Sequence, residues 1–291
     1  MESKSTQLRE VLARPRPTIL AEAHDGLSAK HVEEHGFDGV WASGFTISAA
    51  KGLPDASVIS MAEHLEATRT IAQATTLPVL ADVDEGFGDL ANVERVTQLY
   101  EAAGIAGICL EDKCFPKRNS FAVGVNQKLL GITEFCDKIQ VAQSAKKTKD
   151  FVVVARTEAF ITGDGLDAAL ERGWAYAEAG ADLILVHSKK PTCEEVKAFA
   201  ERWKYDVPLV AIPTTYYGVS AGDLYEMGYR MVIFANHTLR AADKAMGQVL
   251  RELSRAKCSQ GIESYISPVD EISDRVGMAR IRELERLCMP H

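Results

Sequence analysis

Asp82 and Asp84 follow one apolar run, and Glu111 closes another; no thiol or imidazole accompanies them. Carboxylate oxygens of this kind suit a hard cation, Mg2+ or Mn2+, above all one shared with an anionic substrate. If an extended strand persists through residue 84, Asp82 and Asp84 face the same side. The competing reading makes these acids helix caps or partners of Lys113 and Arg156. Lys117, Arg118, Arg156 and His187 supply the opposite chemistry, a grip on carboxylate or phosphoryl oxygens. A cation beside an arginine is what stabilises charge on a moving phosphoryl group or an enolate. The segment Cys114–Asn126, with Pro116, Asn119, Gly124 and Asn126, has no helical period and reads as a long loop, a candidate lid over a substrate. For its Lys117-Arg118 pair the plainer alternative is a solvated turn.

Such residues need a frame that gathers them. Apolar, β-branched runs predict strands at Thr18–Ala23, Gly39–Ser43, Pro78–Asp82, Ala106–Glu111, Phe151–Arg156, Asp182–His187, Pro208–Ile212 and Met231–Phe234. Helical spacing lies between them, as in Met61–Gln73, Val93–Ala103, Leu166–Ala179 and Glu194–Trp203. Glycine recurs where a helix hands over to the next strand, at Gly36, Gly104, Gly180 and Gly228, as a left-handed helix stop requires. Eight strand–helix repeats predict one α/β domain over 1–291, a (β/α)8 TIM barrel, with a C-terminal helical extension at 258–291. The helix after the eighth strand is expected to run through Lys257, and a further charged helix to span about Ser267–Leu287. No GxGxxG follows the first strand, which speaks against a Rossmann fold. In a barrel the active site sits where strands end, and the strand ends here are polar: His24-Asp25, Ser43-Gly44, Asp82, Asp84, Glu111-Asp112-Lys113, Arg156, Glu158, His187 and Asn236-His237. A single such residue is unremarkable; their concentration at one mouth is the functional signal.

Bulk properties remove other classes. A net charge of −8 without a basic stripe argues against nucleic acid. No apolar stretch is long enough to span a bilayer, and the charged start MESKSTQLREVL lacks a leader's apolar core. The six cysteines are scattered, without a CxxC pair or zinc spacing. A cytoplasmic enzyme with free thiols is the expectation.

Several of these segments together carry a family resemblance. Trp41-Ala-Ser-Gly-Phe-Thr-Ile-Ser48, Asp82-Val-Asp-Glu-Gly-Phe-Gly88 and Glu111-Asp-Lys-Cys-Phe-Pro-Lys-Arg-Asn-Ser120 resemble the phosphoenolpyruvate mutase/isocitrate lyase superfamily. Val154–Ala159, Val186–Lys190 and Ala235–His237 match it too. The resemblance spans nearly the whole chain. It implies a Mg2+-dependent barrel acting on small keto or hydroxy acids, a homotetramer or homodimer that exchanges its last barrel helix between subunits.

Within that superfamily the lid separates branches. Carbon–carbon lyases carry a catalytic cysteine where Asn119 stands, and an amide does not shuttle protons at neutral pH; Cys114 lies out of register. The pattern around Phe115-Pro116-Lys117 is similar instead to the branch that interconverts phosphoenolpyruvate and phosphonopyruvate, for phosphonate biosynthesis. A related hydrolase pattern, giving pyruvate and phosphate, carries Thr in place of Asn119. The alternatives therefore rank as hydrolase, then carbon–carbon lyase or catalytically silent barrel. One departure is Asp82-Val-Asp-Glu-Gly-Phe87, where the branch usually has Asp-Ala-Asp-Thr-Gly-Tyr. By resemblance Asp82 is the direct metal ligand, with Asp84, Glu111 and Asp55 on its water shell. The backbone at Ser43 and Gly44, beside Trp41, takes the substrate carboxylate, while Arg156, His187, Asn119, Lys117 and Ser120 serve the phosphoryl group and the lid. A mutase also implies a second enzyme that consumes phosphonopyruvate.

Overall fold

The computed structural model describes residues 2–125 and 127–288; Asn126, assigned to the lid, and the side chain of Cys288 lie outside the described residues. Eight parallel strands close into a barrel in chain order: β1 (Thr18–Ala23), β2 (Gly39–Ala42), β3 (Val79–Asp82), β4 (Gly107–Glu111), β5 (Val152–Thr157), β6 (Leu183–Val186), β7 (Leu209–Ala211) and β8 (Tyr229–Phe234). Closure is made by β1 on β8, with Thr18 beside Met231 and Ala21 beside Phe234. All eight expected strands are present, with ends shifted by a residue or two. Gly36, Gly104, Gly180 and Gly228 all adopt positive φ, as their places at helix ends predict.

Alternation along the strands divides the core in two. Leu20, Trp41, Leu80, Cys109, Val154, Leu185, Ile212 and Ile233 fill the barrel interior, while Val40, Ala81, Ile108, Val153 and Ile184 face the surrounding helices. The interior cluster is continued by Leu8 and Val11 of a helix over Lys4–Leu12. That helix is held at the strand starts: the Thr18 hydroxyl donates to Val11 O (2.9 Å), Lys4 Nζ donates to Thr75 O (2.8 Å), and Arg9 pairs with Asp182 (2.6 Å). Burying Leu8 and Val11 contributes roughly 1.5–3 kcal/mol each. The helix thereby covers the strand starts.

Two compact units are resolved, Met1–His237 and Thr238–His291, so the helix His237–Ala256 falls almost wholly in the second. It stops at Lys257, whose φ is 54°, close to the expected end. The charged helix expected over about 267–287 is instead two helices, Val269–Arg275 and Met278–Cys288, parted by Gly277 at φ 96°. Met246, Leu250, Val269, Val276 and Leu287 of this unit are exposed. Among the described residues no helix is long and apolar enough to cross a membrane, and Cys109, Cys114, Cys136, Cys193 and Cys258 are free thiols.

Candidate active site

The polar residues at the mouth continue the inward phase of the strands. Two places beyond Trp41, Leu80, Cys109, Val154 and Leu185 stand Ser43, Asp82, Glu111, Arg156 and His187. Register then makes them neighbours, because Asp82 pairs with Cys109 and Glu111 with Arg156. Trp41 is beside Leu80, one layer beneath Asp82, and forms the apolar floor.

Glu158, one further inward place along from Arg156, is the hub. Its Oε1 accepts from Arg156 Nε (2.6 Å) and lies 2.7 Å from His187 Nδ1; its Oε2 accepts from the Ser120 hydroxyl (2.6 Å) and lies 3.1 Å from Lys113 Nζ. His187 Nδ1 is also 2.9 Å from Arg156 Nη2. The shorter contact and the carboxylate charge assign the Nδ1 proton to Glu158. Against the cost of burial, Arg156, Lys113 and His187 hold the Glu158 carboxyl well below the usual range. Burial, against the pull of Glu158, lowers His187. The guanidinium also approaches the acids, with Nη1 at 3.9 Å from Asp82 and Nε, already bonded to Glu158, at 3.5 Å from Glu111.

The loop after β4 lies down over this cluster. Lys117 is buried between Asp55 (2.6 Å) and Asp84 (2.7 Å). Asn119 donates from its backbone to Asp55 O (3.1 Å) and from Nδ2 to Asp55 Oδ2 (2.7 Å), while its Oδ1 accepts from Phe121 N–H (2.9 Å). Those two side-chain bonds fix which end of the amide is the donor, and one Nδ2 hydrogen remains for an anion. Ser120 joins the lid to the hub by also accepting from Lys113 Nζ (2.8 Å). Arg118 serves elsewhere: its Nη1 donates to the carbonyls of Lys117 (2.8 Å) and Pro116 (3.2 Å), bracing the lid backbone rather than entering the mouth.

Asp82, Asp84, Glu85 and Glu111 are buried, and Asp82 Oδ1, Glu85 Oε1 and Glu111 Oε1 have no hydrogen-bond partner. Asp84 Oδ1, also without a hydrogen bond, has Lys117 at ion-pair distance but off the bonding direction. Burial raises Asp82 and Glu85, and raises Asp84 well above its usual range in spite of Lys117, with Asp82, Asp55 and Glu111 adding to the rise. Lys117, in spite of burial, is held well above its usual range by Asp84 and Asp55; Asp55, likewise buried, is drawn down by Lys117 and Asn119. Buried carboxylate oxygens without donors fit a hard divalent cation. Among the described residues no three His, Cys, Asp or Glu side chains converge on one point, which suits Mg2+, a cation that usually keeps several waters, better than one caged by protein alone.

Some expectations need correcting. β3 ends at Asp82, and Asp84 sits at φ 53°, so a left-handed turn rather than strand alternation aims both acids at the mouth. Asp25 caps the helix Gly26–Glu34, and His24 Nδ1 lies 2.7 Å from Glu22. Asp112 faces out of the barrel to Tyr176 (2.7 Å) and Arg172 (3.2 Å), and Asn236 Nδ2 reaches Thr214 (3.5 Å). Gly44 opens the helix Gly44–Ala50, and a Cβ there would stand 2.8 Å from Asp84 Oδ1. The central place of Glu158 and Lys113, and the bonds of Ser57, were not foreseen; inward phase alone pointed to Glu158.

Comparison with known proteins finds relatives along nearly the whole chain. The family model described as phosphoenolpyruvate phosphomutase matches residues 8–254. A phosphonopyruvate hydrolase of Variovorax sp. (strain Pal2) is 42% identical, over 97% of this chain and 98% of its own. The crystal structure of a phosphoenolpyruvate phosphomutase from Streptomyces platensis subsp. rosaceus superposes with a TM-score of 0.96 at 43% identity, covering 98% of this chain and 99% of that one. A phosphonopyruvate hydrolase in complex with oxalate and Mg2+ superposes with a TM-score of 0.92 at 40% identity, covering 98% and 99%.

Proposed function

The chain belongs to the phosphoenolpyruvate phosphomutase family, and from that membership we propose that it interconverts phosphoenolpyruvate and phosphonopyruvate with the help of Mg2+. A relative that holds Mg2+ and oxalate, and the unpartnered oxygens of Asp82 and Glu111, support the metal. When bound, Mg2+ supplies Lewis-acid stabilisation of charge on the substrate's carboxylate and keto or enolate oxygens. Asp82 would hold it, with Asp84, Glu111 and Asp55 assisting from beside it.

The reaction breaks the phosphorus–carbon bond of phosphonopyruvate and forms a phosphorus–oxygen bond to the same pyruvyl unit. The protein's work is positioning and charge stabilisation. The backbone at Ser43 and Gly44 takes the carboxylate above the Trp41 floor. Arg156 presents a guanidinium that, against burial, Glu158 keeps fixed and charged. His187 can grip a phosphoryl oxygen only with a proton on Nε2; since Nδ1–H is held by Glu158, that form is the imidazolium, which an incoming anion favours. Asn119 offers its remaining Nδ2 hydrogen, and Lys117 and Ser120 keep the lid down so that water does not intercept the phosphoryl group.

The observation that carries this reading is Asn119, oriented by Asp55 and Phe121 over the acid cluster. The second reading, hydrolysis to pyruvate and phosphate, is favoured by the 42% identity to the Variovorax hydrolase. Phosphorus NMR of the protein with phosphonopyruvate and Mg2+ decides. A phosphoenolpyruvate resonance supports the mutase, free phosphate the hydrolase, and an unchanged spectrum refutes both. As phosphorus–carbon bond formation is uphill, a mutase also calls for an enzyme that removes phosphonopyruvate. The exposed Met246, Leu250, Val269 and Leu287 support assembly with further copies of the chain.

A further inference from the structure

Lys117, Asn119 and Ser120 attach the lid through groups that the chemistry itself needs. One attachment differs. Ser57 Oγ accepts the backbone N–H of Lys117 (2.9 Å) and donates to Glu85 Oε2 (3.5 Å). Ser57 sits at φ 55°, a left-handed conformation uncommon for a residue with a side chain, so the hydroxyl is aimed by a turn that local preference does not favour. Glu85 is fully buried directly after Asp84, and its own carbonyl accepts from Lys138 Nζ (2.7 Å), which also binds Gly88 O (2.7 Å). A chain of bonds thus runs from the acid cluster, through Glu85 and Ser57, to the lid backbone. Glu85 is also where the chain departs from the Asp-Ala-Asp-Thr-Gly-Tyr pattern it resembles.

We propose that Ser57, backed by Glu85, is the catch that keeps the lid shut, and that its strength sets how the phosphoryl group divides between the pyruvyl unit and water. The partition half of this rests on the proposed phosphoryl chemistry; the catch itself does not. Both are positioning residues: Ser57 bonds the main chain of Lys117 and so acts whatever side chain the lid carries. Losing one neutral hydrogen bond changes an opening equilibrium about five-fold.

Lys117 and Arg118 are trypsin sites within the closed lid, so limited proteolysis reads opening without any substrate. Ser57→Ala and Glu85→Ala are each expected to cleave there about five-fold faster, and to raise the share of pyruvate and phosphate seen by phosphorus NMR. Glu85→Gln, which keeps an acceptor oxygen for Ser57, is expected to cleave like the parent. Ser60→Ala, which removes the cap of the helix Met61–Ala74 away from the lid, controls for general loosening. Unchanged cleavage in both Ala variants, or equal acceleration by Ser60→Ala, overturns the catch. Faster cleavage with an unchanged product ratio overturns its control of partition. If the parent protein turns over no phosphonopyruvate, the functional reading fails while proteolysis still decides the catch.

Discussion

Glu158→Gln tests whether the hub is what holds Arg156, His187 and Lys113 together. The carboxylate is fully buried and meets four groups, Arg156, His187, Ser120 and Lys113. An amide can keep oxygen towards Arg156 and His187 if its NH2 turns to Ser120, whose hydroxyl rotates to accept. Lys113 then faces a donor in place of a charge. Removing one partner of a buried ion pair costs about 3–5 kcal/mol; the retained bonds put Gln near the lower end, and Glu158→Ala at or above the upper. About 3 kcal/mol corresponds to a melting temperature roughly 6–12 °C lower in a chain of this size. The pH dependence carries a second check. A carboxyl held below its ordinary value of 4.5 contributes stability that is fully present above that value and is lost as pH falls through the folded-state value. The gap between parent and variant should therefore stay constant from pH 8 to about 5 and close only in more acidic solution. Thermal melts across that range, followed by circular dichroism, measure both quantities. A variant that melts within about 2 °C of the parent, or a gap that already narrows between pH 8 and 6, refutes the hub.

Asn119→Ala removes the amide aimed by Asp55 and Phe121; turnover of phosphonopyruvate should fall about 100- to 1000-fold with the melting temperature little changed, and near-normal turnover refutes its role. Asp82→Asn should abolish the stabilisation by Mg2+, which for the parent is about 2.7 kcal/mol at a hundred-fold excess over Kd; a variant that Mg2+ stabilises equally removes Asp82 from the ligand set. Burial, against Tyr176 and Arg172, raises Asp112 from 3.8 to about 6. A raised carboxyl gives stability that is lost as pH rises through the folded value, so Asp112 should contribute up to about 3 kcal/mol between pH 7 and 4, read in urea titrations of the metal-free protein as the difference in pH slope between parent and Asp112→Asn. Gly44→Ala drives a Cβ against Asp84 Oδ1 and should weaken Mg2+ binding measured by calorimetry, an unchanged Kd showing that Asp84 gives way freely.

The barrel was legible because its strands are buried on both faces and its helix stops are glycines, both local properties. The mouth was legible for a related reason: once the interior phase of Leu80, Cys109, Val154 and Leu185 is known, Asp82, Glu111, Arg156 and His187 follow two residues on. What failed to show was anything set by partners distant in sequence. Glu158 looks like one more strand-end acid until Lys113, Ser120 and His187 arrive from two other loops. Ser57 is an unremarkable serine until Lys117, sixty residues away, meets it. Asp84 was placed in the right region by the wrong rule, since nothing local announces a left-handed aspartate. The helix Lys4–Leu12 was missed because only Leu8 and Val11 carry its apolar face, too short a pattern to stand out.

The charge balance of the mouth explains why its parts belong together. Asp55, Asp82, Asp84, Glu85, Glu111 and Glu158 meet there with Lys113, Lys117 and Arg156 as the fixed cations, and Lys138 turns to main-chain carbonyls instead. Glu158 is held ionised and Asp55 is drawn down, so two of the three cations are already matched. The remainder is excess negative charge, which adds to the burial that raises Asp82, Asp84 and Glu85. A divalent cation bound there would supply the missing positive charge, and would relieve Arg156 of its approach to Asp82 and Glu111. The lid belongs to the same balance. Lys117 lies between Asp55 and Asp84, so the closed lid is held by two of the acids proposed to serve the metal, which would join that site to the exclusion of water.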